Sequence, residues 1–188
     1  LVVFIPQPAR TEAGRLGQGS LWSESGYGFS YILQRPSLLG LQLVFFGINF
    51  TSTFTWVLLA PMILARSGNQ EVVLGSVQSM LGIGGVAGAL LLSAWGGPRR
   101  RIHGVLLGMA MGSFFGAGLL GLGRGLLLWS VGAFFDAFFV PFINGSNQAI
   151  WQSKVAPDVQ GRVFAVRRLI AQVTAPLAML LAGPLADR

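Results

Sequence analysis

The stretch IHGVLLGMAMGSFFGAGLLGLG, residues 102–123, contains no Asp, Glu, Lys or Arg. A bilayer core about 30 Å thick is crossed by about 20 apolar residues rising 1.5 Å each, so this run is long and apolar enough to span it as a helix. Within it Gly104, Gly108, Gly112 and Gly116 recur every four residues and share one helix face. A row of small side chains lets a neighbouring backbone approach closely, which is how membrane helices commonly pack. This span is therefore expected to be scaffold rather than the wall of a binding cavity.

Four more apolar runs flank it, about Ser37–Ala65, Val72–Trp95, Leu126–Ser153 and Val163–Ala186. Of the 188 residues, 53% are hydrophobic and 10% are charged. A soluble domain has about 25% charged residues, so the balance points to an all-α integral membrane protein with five full spans. A disordered chain is excluded by the same figures. The chain has no Cys, one His (His103) and one Lys (Lys154), which leaves thiolate or imidazole metal clusters and lysine-centred catalysis without support. No Ser/His/Asp set, HExxH, P-loop or paired carboxylates occurs, so neither an enzyme nor a cofactor is expected.

A net charge of +7 would suit nucleic acid if the basic residues formed a stripe. Instead they cluster between the apolar runs. Arg10, Arg15 and Arg35 precede the first full span, Arg99–Arg101 separate the second and third, and Lys154, Arg162, Arg167 and Arg168 surround the gap before the fifth. These alternate segments hold ten of the thirteen basic residues and are expected in the cytoplasm, with Arg66, Arg124 and Arg188 opposite. Residues 1–5 read as the end of a preceding span and 6–36 as a cytoplasmic linker. The second half of that linker places Trp22, Phe29 and Ile32–Leu33 at amphipathic-helix spacing. Residues 37–188 form the transmembrane bundle.

Polar residues inside the spans are the candidates for function. Asn49, Ser52, Thr53 and Trp56 follow i, i+3, i+4, i+7 spacing, and Gln78 on the next span also suits a polar interior. Gly82-Ile83-Gly84-Gly85-Val86-Ala87 imitates a dinucleotide fingerprint, but no strand precedes it and no acidic residue lies between Glu71 and Asp136; helix packing through Gly84 and Gly88 is the better reading. Asp136 lies roughly 15 Å into the fourth span by helix rise. An aspartate at that depth costs about 3 kcal/mol on insertion scales, so it normally faces a bundle interior and often marks a proton or ion path. At about 100° per residue, Trp129 and Asn147 fall about 20° from Asp136, and Asn144 about 80°. Pro141 lacks the N–H that would continue the helix ladder there. In the fifth span Arg168, Gln172 and Pro176 share a face, with Arg168 placed to snorkel to the interface. Asn49-Phe50-Thr51 and Asn144-Gly145-Ser146 match the glycosylation pattern, but inside spans they carry no weight.

Three segments are familiar together: residues 93–104 (SAWGGPRRRIHG), 141–155 (PFINGSNQAIWQSKV) and 160–165 (QGRVFA), with 182–187 (AGPLAD) closing the chain. In these the chain resembles the C-terminal half of a major facilitator superfamily transporter, of the macrolide-efflux-like and enterobactin-exporter-like drug:proton antiporter branch. The resemblance implies that the five spans are helices seven to eleven, that 7–35 is the loop joining the halves, and that helix twelve and the N-terminal half lie outside this fragment. It makes Gly97, Arg99, Arg100 and Arg101 the second-half copy of the cytoplasmic gating loop, without that motif's aspartate, and Gly161 with Arg162 a loop motif. Helices seven, eight, ten and eleven would line a midplane site and helix nine would stay peripheral. Asn49, Thr53, Trp56, Gln78, Asp136, Asn144, Asn147 and Gln172 are then the substrate and proton pathway candidates.

The implied function is proton-coupled efflux of a hydrophobic or amphiphilic small molecule, such as a drug, macrolide or siderophore, across the bacterial plasma (inner) membrane. The implied partners are the lipid bilayer, the substrate, protons and the N-terminal half, with no nucleic acid. The alternatives are a non-transporting membrane scaffold or assembly subunit, and an uptake transporter of the same fold.

Overall fold

The structure is a computed structural model that describes residues 21–186. The expectations for 1–5 and for the first half of the linker lie outside the described residues, as do the side chains of 21–24, 178–179 and 181–186. Every regular element among the described residues is helical: α1 (Leu21–Leu33), α2 (Pro36–Ser67), α3 (Glu71–Trp95), α4 (Arg101–Leu122), α5 (Leu126–Lys154) and α6 (Gln160–Ala186).

Helix ends fall where the sequence supplies the backbone for them. Gly68 and Asn69 after α2 are both left-handed, and the Asn69 N–H donates to Leu64 O at 2.8 Å, closing the last turn. After α3 Gly96 takes φ 77° and its N–H donates to Leu92 O at 2.8 Å. Gly97 follows at φ 80°, so the two-glycine step before Pro98 is a conformational requirement of this turn. In α4, Gly112–Ala117 is π-helical, with α-helix on both sides of it. α5 runs through Pro141 without a break.

Among the described residues four helices, α2 to α5, are long and apolar enough to cross a membrane. This corrects the expected count of five. The fifth expected span is helical as α6, but its first turns carry Gln160, Arg162, Arg167 and Arg168, and most of its last turns lie outside the described side chains. Many large apolar side chains on the four spans face outward, with Leu122 88% exposed and Phe114 73%. A soluble surface rarely leaves so much apolar area exposed, whereas lipid is its natural solvent.

The described residues divide into two compact units, one built from residues up to 54 with 151 onward and the other from Thr55–Ile150. In the first, α1 lies on α6. Tyr31, Ile32, Leu38, Trp151, Val155, Val159, Val163 and Val166 form its core. Gly28 permits the contact, because a methyl there would come within 2.6 Å of Val166 Cγ2 and 3.1 Å of Arg162 O. The buried face of α1 is thus Gly28, Tyr31 and Ile32, while Phe29 and Leu33 stay exposed. In the second unit Leu59, Ile63, Val77, Leu120, Trp129 and Ala133 form the core.

Candidate functional site

The site is built around α5, which is gripped on two sides within the 55–150 unit. Towards α4, the residues opposite the glycine row are Ser146, Ile143, Phe139 and Asp136. Added methyls would strike Ser146 Oγ at Gly104, Ile143 Cγ1 at 2.7 Å from Gly108, and Asp136 Cα at 2.6 Å from Gly116; at Gly112 the nearest atom is Phe139 Cβ at 3.7 Å. The numbers descend on α5 as they rise on α4, so the helices are antiparallel with backbones in close approach. Towards α3, Gly84 and Gly88 lie against the backbone carbonyls of Phe134 and Phe138. Glycine at these positions is a packing requirement, since a carbonyl cannot move aside as a flexible side chain can.

This packing decides where the pathway candidates end up. Asp136 is half-buried, its backbone pressed against Gly116 in the π-helical stretch of α4. Among the described residues its carboxylate has neither an ion-pair nor a hydrogen-bond partner. Asn147 is only 2% exposed, and its Oδ1 has no hydrogen-bond partner among the described residues; the same is true of Ser146 Oγ, at 1% exposure. Trp129 is buried, and its Nε1–H donates to Gly123 O at 3.0 Å. Trp56, Gln78 and Asn144 are exposed. The structure therefore holds Asn147 inside the unit and leaves Asn144, three residues away, outside it.

In the other unit Asn49 and Thr53 are half-buried, and the Thr53 hydroxyl donates to Asn49 O at 2.8 Å. That bond satisfies the hydroxyl within its own helix. Gln172 on α6 is exposed. Gly161 is exposed on the first turn of α6, while Arg162 is half-buried with its carbonyl under Gly28. Gln42, absent from the candidates, is buried, and its Nε2 donates to Arg167 O at 3.5 Å.

In the triple-arginine turn Arg99, Arg100 and Arg101 are exposed, while Gly97 is half-buried. Arg100 is the N-cap of α4 without a side-chain cap, and Arg101 folds back so that Nη1 donates to Gly96 O at 2.9 Å. The guanidinium so reaches the carboxyl end of α3, where the helix dipole is negative, and offsets its own poor placement at the amino end of α4. Ser146, like Gln42, is a buried polar residue outside the sequence candidates. Its signal is register: it stands opposite Gly104 in the same order that sets Asp136 opposite Gly116.

Along α5 stand one carboxylate, Asp136, and, ten and eleven residues further on, the hydroxyl and amide oxygens of Ser146 and Asn147, groups suited to proton exchange and to hydrogen bonding. No cluster of metal-ligating side chains occurs among the described residues.

Over 107 residues, 56% of the chain, the sequence is 31% identical to macrolide efflux protein A of Streptococcus pyogenes. The protein of the same name from Streptococcus pyogenes serotype M6 matches with the same identity and coverage. The match spans 26% of the length of these curated relatives. No family model matches, and no solved structure matches. The four apolar spans and this similarity make the chain an integral membrane protein.

Proposed function

We propose that the chain is part of a proton-coupled efflux transporter, of the major facilitator type, for a hydrophobic or amphiphilic small molecule. The observation that carries this reading is the placing of polar groups on otherwise apolar helices. Gln78 and Asn144 are exposed on α3 and α5, while the contacts that hold those helices together are made by glycines. Amides turned outward from a membrane helix are costly against lipid and are comfortable against water, solute or a partner helix. Similarity to macrolide efflux protein A supports the direction and the substrate class.

In this reading Asp136 exchanges the proton. Asn147 and Ser146, on the same helix, supply oxygens with unused bonding capacity. Gln78, Asn144 and Trp56 contact solute from this unit, and Asn49, Thr53 and Gln172 belong to the pathway in the other. The turn carrying Gly97 and Arg99–Arg101, together with Gly161 and Arg162, lies on the cytoplasmic side and takes part in gating. A second half of the transporter completes the site, and alternation comes from rocking one half against the other.

The test is macrolide accumulation in an efflux-deficient bacterium expressing the complete reading frame, as wild type and as Asp136→Asn. The wild type is expected to lower accumulation severalfold, a protonophore to abolish the difference, and Asp136→Asn to export no better than the empty vector. Equal accumulation with and without the wild-type protein would overturn the export reading and favour a scaffold, and raised accumulation would favour uptake. Unchanged export by Asp136→Asn would remove that carboxylate from the mechanism.

A further inference from the structure

At the end of the 55–150 unit away from Arg99–Arg101 lies an open cavity of about 310 Å³, lined among the described residues by Arg66, Arg124, Gly125 and Trp129. That volume is at the small end of the range for ligand sites, about 300–1,000 Å³. Two guanidiniums reach this one cavity from different elements, the last turn of α2 and the turn between α4 and α5. Arg66 is held in place, with Nη1 donating to Gly121 O at 2.9 Å. A guanidinium has five N–H donors, so most of Arg66's remain available. Arg124 is exposed and has no hydrogen bond or ion pair among the described residues. Glu71, the acidic residue at this end, does not line the cavity and makes no ion pair among the described residues. The indole N–H of Trp129 is already engaged with Gly123 O, so the ring contributes an apolar wall.

We propose that this cavity binds the phosphate of an anionic phospholipid headgroup. The positive pair sets the sign of the ligand, and the fork geometry of arginine suits phosphate oxygens. The surroundings choose the source. Leu122, Leu126, Leu127 and Leu128 flank Arg124 and Gly125 in sequence and are all exposed, Leu127 at 77%. A ligand here meets guanidiniums and, beside them, leucines suited to acyl chains. A free anion uses only the first of these, and a zwitterionic headgroup cancels much of the attraction with its own ammonium.

Native mass spectrometry of the delipidated complete protein, titrated with phosphatidylglycerol or with phosphatidylcholine, tests it. Wild type is expected to retain one phosphatidylglycerol in clear preference to phosphatidylcholine. Arg124→Gln should weaken that adduct about tenfold or more, as loss of charge-assisted hydrogen bonds implies. Arg124→Lys should restore part of it, and Arg66→Gln with Arg124→Gln should erase the preference. Raising ionic strength should erode the preference of the wild type, a measurement that needs no variant to fold. Equal retention of both lipids by wild type, or an undiminished adduct in a folded Arg124→Gln protein, overturns the proposal. So does displacement of phosphatidylglycerol by inorganic phosphate alone, which would make the free ion the ligand.

Discussion

Two sets of glycines on neighbouring helices look alike as sequence and behave differently as structure. On α4, Gly104, Gly108, Gly112 and Gly116 are all buried, and α5 lies against the whole row. On α3, Gly75 and Gly82 are exposed and Gly85 is half-buried; a methyl on any of them would meet nothing within 4 Å. Gln78 stands among them on the same arc of the helix, about 120° round from Gly84, with Gly75 at the far edge about 180° round. The other glycines of α3, Gly84 and Gly88, are pressed against α5. Thus α3 has one glycine face in use and another, carrying an amide, without an occupant in this unit. Small residues create the possibility of close approach, and the register of the opposing helix decides whether it is taken up. On α5 that register is Asp136, Phe139, Ile143 and Ser146, steps of three and four that keep one line facing α4.

The sharpest way to break this contrast is to add the same side chain to both faces. Gly84→Leu places its branch against the Phe134 carbonyl, a backbone atom that cannot yield without moving α5. Overpacking of this kind typically costs about 1–3 kcal/mol and more where backbone must shift. The expected result is loss of folded, monodisperse protein in detergent, read by size-exclusion chromatography and thermal melting. A Gly84→Leu protein that melts with the wild type would show the seam to be far looser than these contacts imply.

Gly82→Leu should do the reverse. Its face is open, so the melting temperature should stay close to wild type, and leucine is even the better helix former. If that face meets solute or a partner helix in the transporter, export measured by macrolide accumulation should fall severalfold while the protein remains folded. Normal export from a stable Gly82→Leu protein would show the open face to be lipid-facing surface and would withdraw Gln78 from the pathway.

The spans and their ends are legible in the sequence because hydropathy and turn chemistry are local. The reading Val72–Trp95 differs by one residue from α3, and Gly96-Gly97-Pro98 announces a stop that the backbone makes with two positive φ angles. The α4 glycine row is legible as a packing face for the same reason. What faces it is not, since the pairing of Gly104 with Ser146 depends on how two helices slide past one another. The stripe through Asp136 and Asn147 is only half legible: periodicity groups Asn144 near them, yet the structure buries Asn147 and exposes Asn144, because an arc of 60° is enough to cross from seam to surface. The amphipathic pattern of α1 marks a helix, but spacing alone does not reveal that Gly28 is the contact point and that Phe29 is left outside. The fifth expected span is a helix, α6, whose described start carries Arg162, Arg167 and Arg168 and whose apolar end lies largely outside the described side chains, so it does not join the four that are counted among the described residues.

The smallest effect concerns the end of the seam. Where α4 stops, Gly123 O accepts the Trp129 indole N–H at 3.0 Å, and Gly123 itself is buried under Leu128, with Leu128 Cβ 2.9 Å from where a methyl would sit. Trp129→Phe keeps an aromatic ring against Leu120 and Ala133 but deletes the one hydrogen bond tying α5 to the carbonyl at the end of α4. Polar bonds between membrane helices average about 0.6 kcal/mol, because the separated helices also find partners. The expected outcome is a folded, exporting protein with a slightly lowered melting temperature, clearly less damaged than Gly84→Leu. If Trp129→Phe proved as destabilising as Gly84→Leu, the seam would owe its stability to its polar end rather than to backbone contact along the glycines, and the contrast between the two glycine faces would lose its physical basis.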